Sequence, residues 1–211
     1  MLFLCSPGNP TAKAIPLDDI KRIAGSPEAQ NLLVVVDEAY VDFSDKGSAL
    51  SILYDYPNVV VLQTLSKAFG LAAIRCGFCM GAPDVIQLMN NVKAPYNVNV
   101  LTSKVAISAF DNIHVLDEHI TTTLEERAMV AAELNKLDFV VQVFPSDSNF
   151  LLVRLTDKAL KVYKTMADGG VVVRFRGNEN HCNECLRITI GTPVENKTML
   201  ARIRDVYASL G

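Results

Sequence analysis

Short, unbroken apolar runs alternate along the chain with stretches of amphipathic spacing. Leu32-Leu33-Val34-Val35-Val36 and Val59-Val60-Val61-Leu62 are continuous and mostly β-branched, which suits strands covered on both faces of a parallel sheet. The first run meets Asp37-Glu38, and the second ends at Thr64. Leu2–Cys5 reads as the end of another buried strand, broken by Ser6-Pro7-Gly8-Asn9-Pro10-Thr11, and Cys76–Met80 reads as a further one. Helices are expected over Pro16–Ala24 and Pro83–Lys93. From about Val98 to Lys136 the chain should be mostly helical, with Leu116, Ile120, Leu124, Ala128, Ala131 and Leu134 forming one apolar stripe.

The texture then changes. Phe139–Phe144 and Asn149–Leu155 read as strands, and Thr156 is placed to cap a helix stopping at Gly169-Gly170. Val171–Val173 and Leu186–Ile190 are expected as further strands. The last helix should open on a capping box, Thr192-Pro193-Val194-Glu195, and bury Met199, Leu200, Ile203, Val206, Tyr207 and Leu210. The fold class is therefore α/β: a large domain with a mostly parallel sheet over residues 1–115, and a small α+β domain with its linking helix over 116–211.

Composition narrows the options. Half of the 211 residues are apolar, a fifth are charged and the net charge is −3, so nothing attracts the chain to nucleic acid or an anionic membrane surface. No apolar run is long enough to span a bilayer. Met1-Leu2-Phe3-Leu4-Cys5 is too short for a signal-peptide core, so a reducing cytoplasm is expected. Cys76 and Cys79 make one C-x-x-C pair, and Cys182 and Cys185 make a second beside His181. Zinc pairs lie roughly 15–20 residues apart, far closer than these. On a strand, residues three apart face opposite sides, so free thiols are expected and no metal.

Polar residues at the carboxyl ends of strands are where open α/β sheets bind ligands, and Asn9, Asp37 and Thr64 all stand there. Lys67 follows in Gln63-Thr64-Leu65-Ser66-Lys67-Ala68-Phe69-Gly70, and Arg75 closes the run. Taken singly, each has an ordinary explanation as a solvated strand end or turn residue. Together they supply what a pyridoxal-phosphate (PLP) enzyme needs from its protein. Lys67 offers the amine that condenses with the cofactor and later moves a proton. Asp37 can keep the pyridine nitrogen protonated, and Asn9 and Tyr40 can donate to the ring oxygen. Thr64, Ser66 and Arg75 can grip the phosphate, the arginine through its bidentate fork.

The segments Cys5-Ser6-Pro7-Gly8-Asn9-Pro10-Thr11, Val36-Asp37-Glu38-Ala39-Tyr40, Thr64–Gly70, Arg75-Cys76-Gly77, Ser148-Asn149-Phe150 and Leu186–Thr192 occur in an order that resembles the fold-type I PLP-dependent aminotransferases of class I/II, and within them the histidinol-phosphate aminotransferases. The resemblance implies exchange of an amino group between L-histidinol phosphate and 2-oxoglutarate, and a homodimer. It also implies that Arg187 binds an anionic substrate end, with Arg174 as a second phosphate-binding arginine and Asn149 beside them. Related aromatic or broad-specificity aminotransferases, and PLP-dependent decarboxylases of phosphorylated amino acids, share these motifs. Two departures stand out. Ala12 replaces the glycine of the family's Asn-Pro-Thr-Gly, which strains the turn if that position needs positive φ. The family's long N-terminal section, with part of its cofactor, substrate and dimer surface, has no counterpart here. The chain is expected to be a truncated form, with apolar sheet edge left open and a catalytically inactive remnant as the alternative.

Overall fold

The valine runs become the centre of a four-stranded sheet. β1 (Leu2–Cys5), β2 (Val34–Asp37) and β3 (Val59–Thr64) pair in parallel, and β4 (Gly77–Met80) adds antiparallel to β3. The structure is a computed structural model describing residues 1–211. Val34, Val36, Val59 and Val61 are fully buried and pack with Ile20 and Ala24 of α1 (Leu17–Ala24) and with Ala49 and Ile52 of a short 3-10 turn. Each such side chain contributes about 1.5–3 kcal/mol by leaving water. Register aligns Cys5 with Asp37 and Asp37 with Leu62, while Thr64 lies opposite Gly77. Four chain segments therefore meet at one end of this sheet.

After β4 come α2 (Pro83–Val92) and α3 (Val100–Asp111), the latter started by Asn99, whose Oδ1 accepts from the Thr102 amide at 2.9 Å. Leu88, Val92, Leu101 and Ile107 on these helices are 61–85% exposed, and Phe3 on β1 is 61% exposed.

Two compact units result: Met1–Gly8 with Lys13–His119, and Asn9–Ala12 with Ile120–Gly211. The division falls inside α4 (Ile113–Leu134) and gives the Asn9–Ala12 turn to the second unit. That unit holds an antiparallel sheet in the order β5 (Val140–Val143), β6 (Phe150–Leu155), β8 (Cys185–Thr189), β7 (Arg174–Phe175). α5 (Ala159–Asp168) and α6 (Pro193–Ser209) pack against it, with Val153, Leu155, Val162, Met166, Leu186 and Ile203 in the core. The capping box of α6 is present: Thr192 Oγ1 accepts from the Glu195 amide, and Glu195 Oε2 accepts from the Thr192 amide.

Three local expectations fail here. Thr156 does not cap α5, because its hydroxyl is bonded to the Tyr207 phenol at 2.8 Å; Lys158 occupies the cap at φ 60° and Glu184 Oε2 accepts from the Ala159 amide instead. Val171–Val173 is not a strand: the Val171 amide still bonds back to Met166 O at the helix end, so pairing begins only at Arg174. On α4, Ala128 is exposed and Val130 is buried, because the true stripe follows the helical pitch back from Leu134. The turn at Ala12 does require positive φ. Ala12 sits at φ 62°, fully buried, where an L-residue costs roughly 1–2 kcal/mol.

Candidate active site

Lys67 is presented by a turn anchored on both sides. Leu65 and Ala68 are buried, Phe69 packs on Phe110 of α3 with ring centroids 5.3 Å apart, and Gly70 closes the turn at φ 68° with its amide on Lys67 O. With its neighbours pinned inward, Lys67 is left exposed, and its Nζ lies 5.3 Å from the centroid of the buried Tyr40 ring. Asp37 ends β2, and its Oδ1 accepts from the Ala39 amide at 3.0 Å. Thr64 Oγ1 donates to Ser66 Oγ (3.0 Å) or to the Cys76 carbonyl (3.2 Å), and receives the Ser66 amide at 3.1 Å. Arg75, at φ 53°, is exposed and donates to the Ala72 carbonyl at 3.1 Å. The first unit thus brings Asp37, Tyr40, Thr64, Ser66, Lys67 and Arg75 to one end of its sheet. An amine, a carboxylate, a phenol and paired hydroxyls in that arrangement can condense with an aldehyde, hold a proton on a heteroaromatic nitrogen and grip an anion. A cavity of about 440 Å³ lined by Phe69, Leu71, Lys104, Val105 and Leu116 lies beside this turn but includes none of the six. It is largely apolar, so the site is identified by its donor set and not by concavity.

Three further residues border the cluster. Cys5, level with Asp37 on β1, has its thiol pKa pushed up by partial burial and by the Asp37 carboxylate. Glu38 is almost fully buried and accepts from Ser48 Oγ at 2.6 Å, the Ala49 amide at 2.6 Å and Gln63 Nε2 at 2.9 Å. The sequence did offer a signal for Glu38, a second acid directly after a buried strand, but not its partners. Asp42, half-buried nearby, has its carboxyl pKa raised by burial, partly opposed by its own backbone amide, with Glu38 adding repulsion. An acid whose folded pKa is raised loses its proton first in the unfolded chain, so stability falls as pH rises through the carboxylate range. Asp42→Asn should therefore match wild type in thermal unfolding at acid pH and melt higher than wild type at neutral pH. A gap that stays constant with pH would rule Asp42 out.

The second unit makes its own cluster. Arg187, on β8, donates from Nη1 to Asn9 Oδ1 at 2.9 Å and lies over the Phe150 ring, 4.9 Å from its centroid. A guanidinium only donates, so this bond sets which end of the Asn9 amide faces it. Arg174 stands directly opposite Arg187 across β7 and β8, and like charges so placed repel. Asn149 is next in chain to Phe150, and its backbone carbonyl accepts from the Ile190 amide. Asn9, grouped by sequence with the cofactor donors, is here a partner of Arg187. All five cysteines are free thiols, and nowhere do three His, Cys, Asp or Glu side chains converge as a metal centre would need. No helix is long and apolar enough to cross a membrane.

The model of the family described as aminotransferase class I and II matches residues 1–203. The chain belongs to that family. As an aminotransferase-family chain it is 42% identical over 200 residues to a histidinol-phosphate aminotransferase of Cytophaga hutchinsonii, covering 95% of this chain and 56% of that protein. It therefore spans little more than half the length of this curated relative. The solved histidinol-phosphate aminotransferase of Clostridium acetobutylicum shares its fold, with a TM-score of 0.91 at 22% identity over 98% of this chain and 64% of that one. The Sinorhizobium meliloti histidinol-phosphate aminotransferase, solved in complex with pyridoxal-5'-phosphate, gives a TM-score of 0.86 at 27% identity, covering 99% of this chain and 57% of that one. The fold that matches these relatives is α/β, with a mostly parallel sheet and a smaller antiparallel one in this chain.

Proposed function

We propose that this chain serves PLP-dependent amino-group transfer between L-histidinol phosphate and 2-oxoglutarate, in histidine biosynthesis. The observation that carries the reading is the cluster of Asp37, Tyr40, Thr64, Ser66 and Lys67 at the carboxyl end of β2 and β3. Its donor set fits the cofactor: only one Asp37 oxygen is engaged by a backbone amide, and Lys67 has an aromatic face but no carboxylate beside it. Pyridoxal phosphate, when bound, supplies an aldehyde for the amino group and an electron-withdrawing ring. Asp37 holds a proton at the ring nitrogen. Thr64, Ser66 and Arg75 bind the phosphate, and Tyr40 donates to the ring oxygen. The Lys67 amine takes the proton from the substrate carbon and returns it. Reduction with borohydride after incubation with PLP, followed by peptide mapping, tests this: stoichiometric label on Lys67 supports it, and label elsewhere removes Lys67 from the role.

The substrate reading rests on the two arginines. A phosphate monoester dianion between Arg174 and Arg187 would turn their mutual repulsion into a paired attraction. Asn149 borders this cluster. Arg187→Ala should lower kcat/KM for the phosphorylated substrate by about a hundredfold, since a charge-assisted bond contributes roughly 1.5–3 kcal/mol. Steady-state assays with histidinol phosphate and with dephosphorylated histidinol check this, and equal losses on both substrates would count against phosphate recognition. The same arginine pair suits a decarboxylase of a phosphorylated amino acid. Carbon dioxide release without a 2-oxo acid would favour that second reading. Five free thiols accord with a reducing compartment such as the cytoplasm, and the working form is taken to be a homodimer.

A further inference from the structure

We propose that Glu38 is a positioning residue that aims Asp37 and Tyr40, an inference resting on the reading of those two as cofactor ligands. Glu38 stands between them in the chain, and the partners of its carboxylate are Ser48, Ala49 and Gln63, not Lys67. Its carboxylate is 3% exposed and is held by three donors from two other segments: Ser48 Oγ and the Ala49 amide on the 3-10 turn, and Gln63 Nε2 on β3. Its backbone is held as well, the amide donating to Leu62 O at 2.8 Å and the carbonyl accepting from the Val41 amide at 3.1 Å. Glu38 directly follows Asp37, the last residue of β2, and its amide extends the pairing to β3 by one residue. Extended neighbours point to opposite faces, so fixing Glu38 on one face fixes the direction in which Asp37 leaves on the other.

Two features make this directional and not merely a filled space. An apolar side chain would occupy the same volume without desolvating a charge, whereas a carboxylate with three donors permits a single orientation. The bond from the Ala39 amide to Asp37 Oδ1 also spans the residue that Glu38 occupies. Any loosening of Glu38 should therefore be felt first in that bond, which orients the Asp37 carboxylate.

The test needs no cofactor. Amide hydrogen exchange is followed residue by residue in wild type, in Glu38→Gln and in the exchanged pair Glu38→Gln with Gln63→Glu. The single change removes the charge and leaves one oxygen to accept from three donors unless the Gln63 amide turns over; the exchanged pair restores one donor facing one acceptor. Glu38→Gln should speed exchange at Ala39 by about tenfold or more while the Val60 and Val61 amides keep wild-type protection. The exchanged pair should bring Ala39 back to within about threefold of wild type. Faster exchange at Ala49 with Ala39 unchanged would overturn the proposal, leaving Glu38 as an anchor of the 3-10 turn alone. If the single change loosens the β3 amides too, the exchanged pair decides. Protected β3 with protected Ala39 supports the proposal, and protected β3 with fast Ala39 overturns it. Borohydride labelling of Lys67 in wild type reports separately on the cofactor reading, so the two can fail independently.

Discussion

Lys67→Ala should abolish the borohydride-stable PLP adduct at this position and lower turnover by about ten-thousandfold or more. On the proposed reading one side chain supplies both the condensing amine and the base that moves the proton, and the proton-transfer role alone is worth roughly 10²–10⁴ in rate. The change should leave folding almost untouched. Lys67 is exposed, and its side chain places its cation over the Tyr40 ring, a contact worth about 0.5–1 kcal/mol. Lys67→Arg separates charge from chemistry: it keeps the cation over Tyr40 but stays protonated at any working pH. It should melt like wild type and be as inactive as the alanine variant. A stoichiometric adduct on either variant, mapped to another lysine and still supporting turnover, would refute the assignment.

Asp37→Ala should separate binding from turnover. The Lys67 amine remains, so an adduct still forms and is trapped by borohydride. Turnover should fall by about a hundredfold to a thousandfold, because on the proposed reading Asp37 keeps a proton on the ring nitrogen, a preorganised charge of the kind whose loss costs that much. Asp37→Asn keeps the shape and the acceptor for the Ala39 amide but loses the charge, so it should be nearly as slow as the alanine variant. Single-turnover rates with excess substrate isolate this step. If Asp37→Ala turned over at the wild-type rate, the proton at the ring nitrogen would have another keeper.

The two variants draw on parts of the chain that were legible to different degrees. Lys67 and Asp37 were placed by sequence because their signals are local: each follows a continuous β-branched run, and such runs bury on both faces wherever they go. Val34, Val36, Val59 and Val61 do so, and the carboxyl ends of β2 and β3 follow from them. The capping box at Thr192 was legible for the same reason, since its partners lie within one turn. Expectations failed where a distant group won a local competition. The Thr156 hydroxyl was captured by Tyr207, 51 residues away, leaving α5 to be capped by Glu184, 25 residues from Ala159. No local pattern encodes such partners.

The chain by itself determined which residues were candidates for chemistry, their order, and the class of sheet that presents them, because apolar runs, turn residues and capping pairs act over a few positions. Only the tertiary structure decided what those residues face. It placed Asn9 on Arg187 across 178 residues, set Arg174 opposite Arg187, and gave Glu38 its three donors. Hydrogen bonds and charge pairs depend on distance in space and on burial, and a linear sequence records neither.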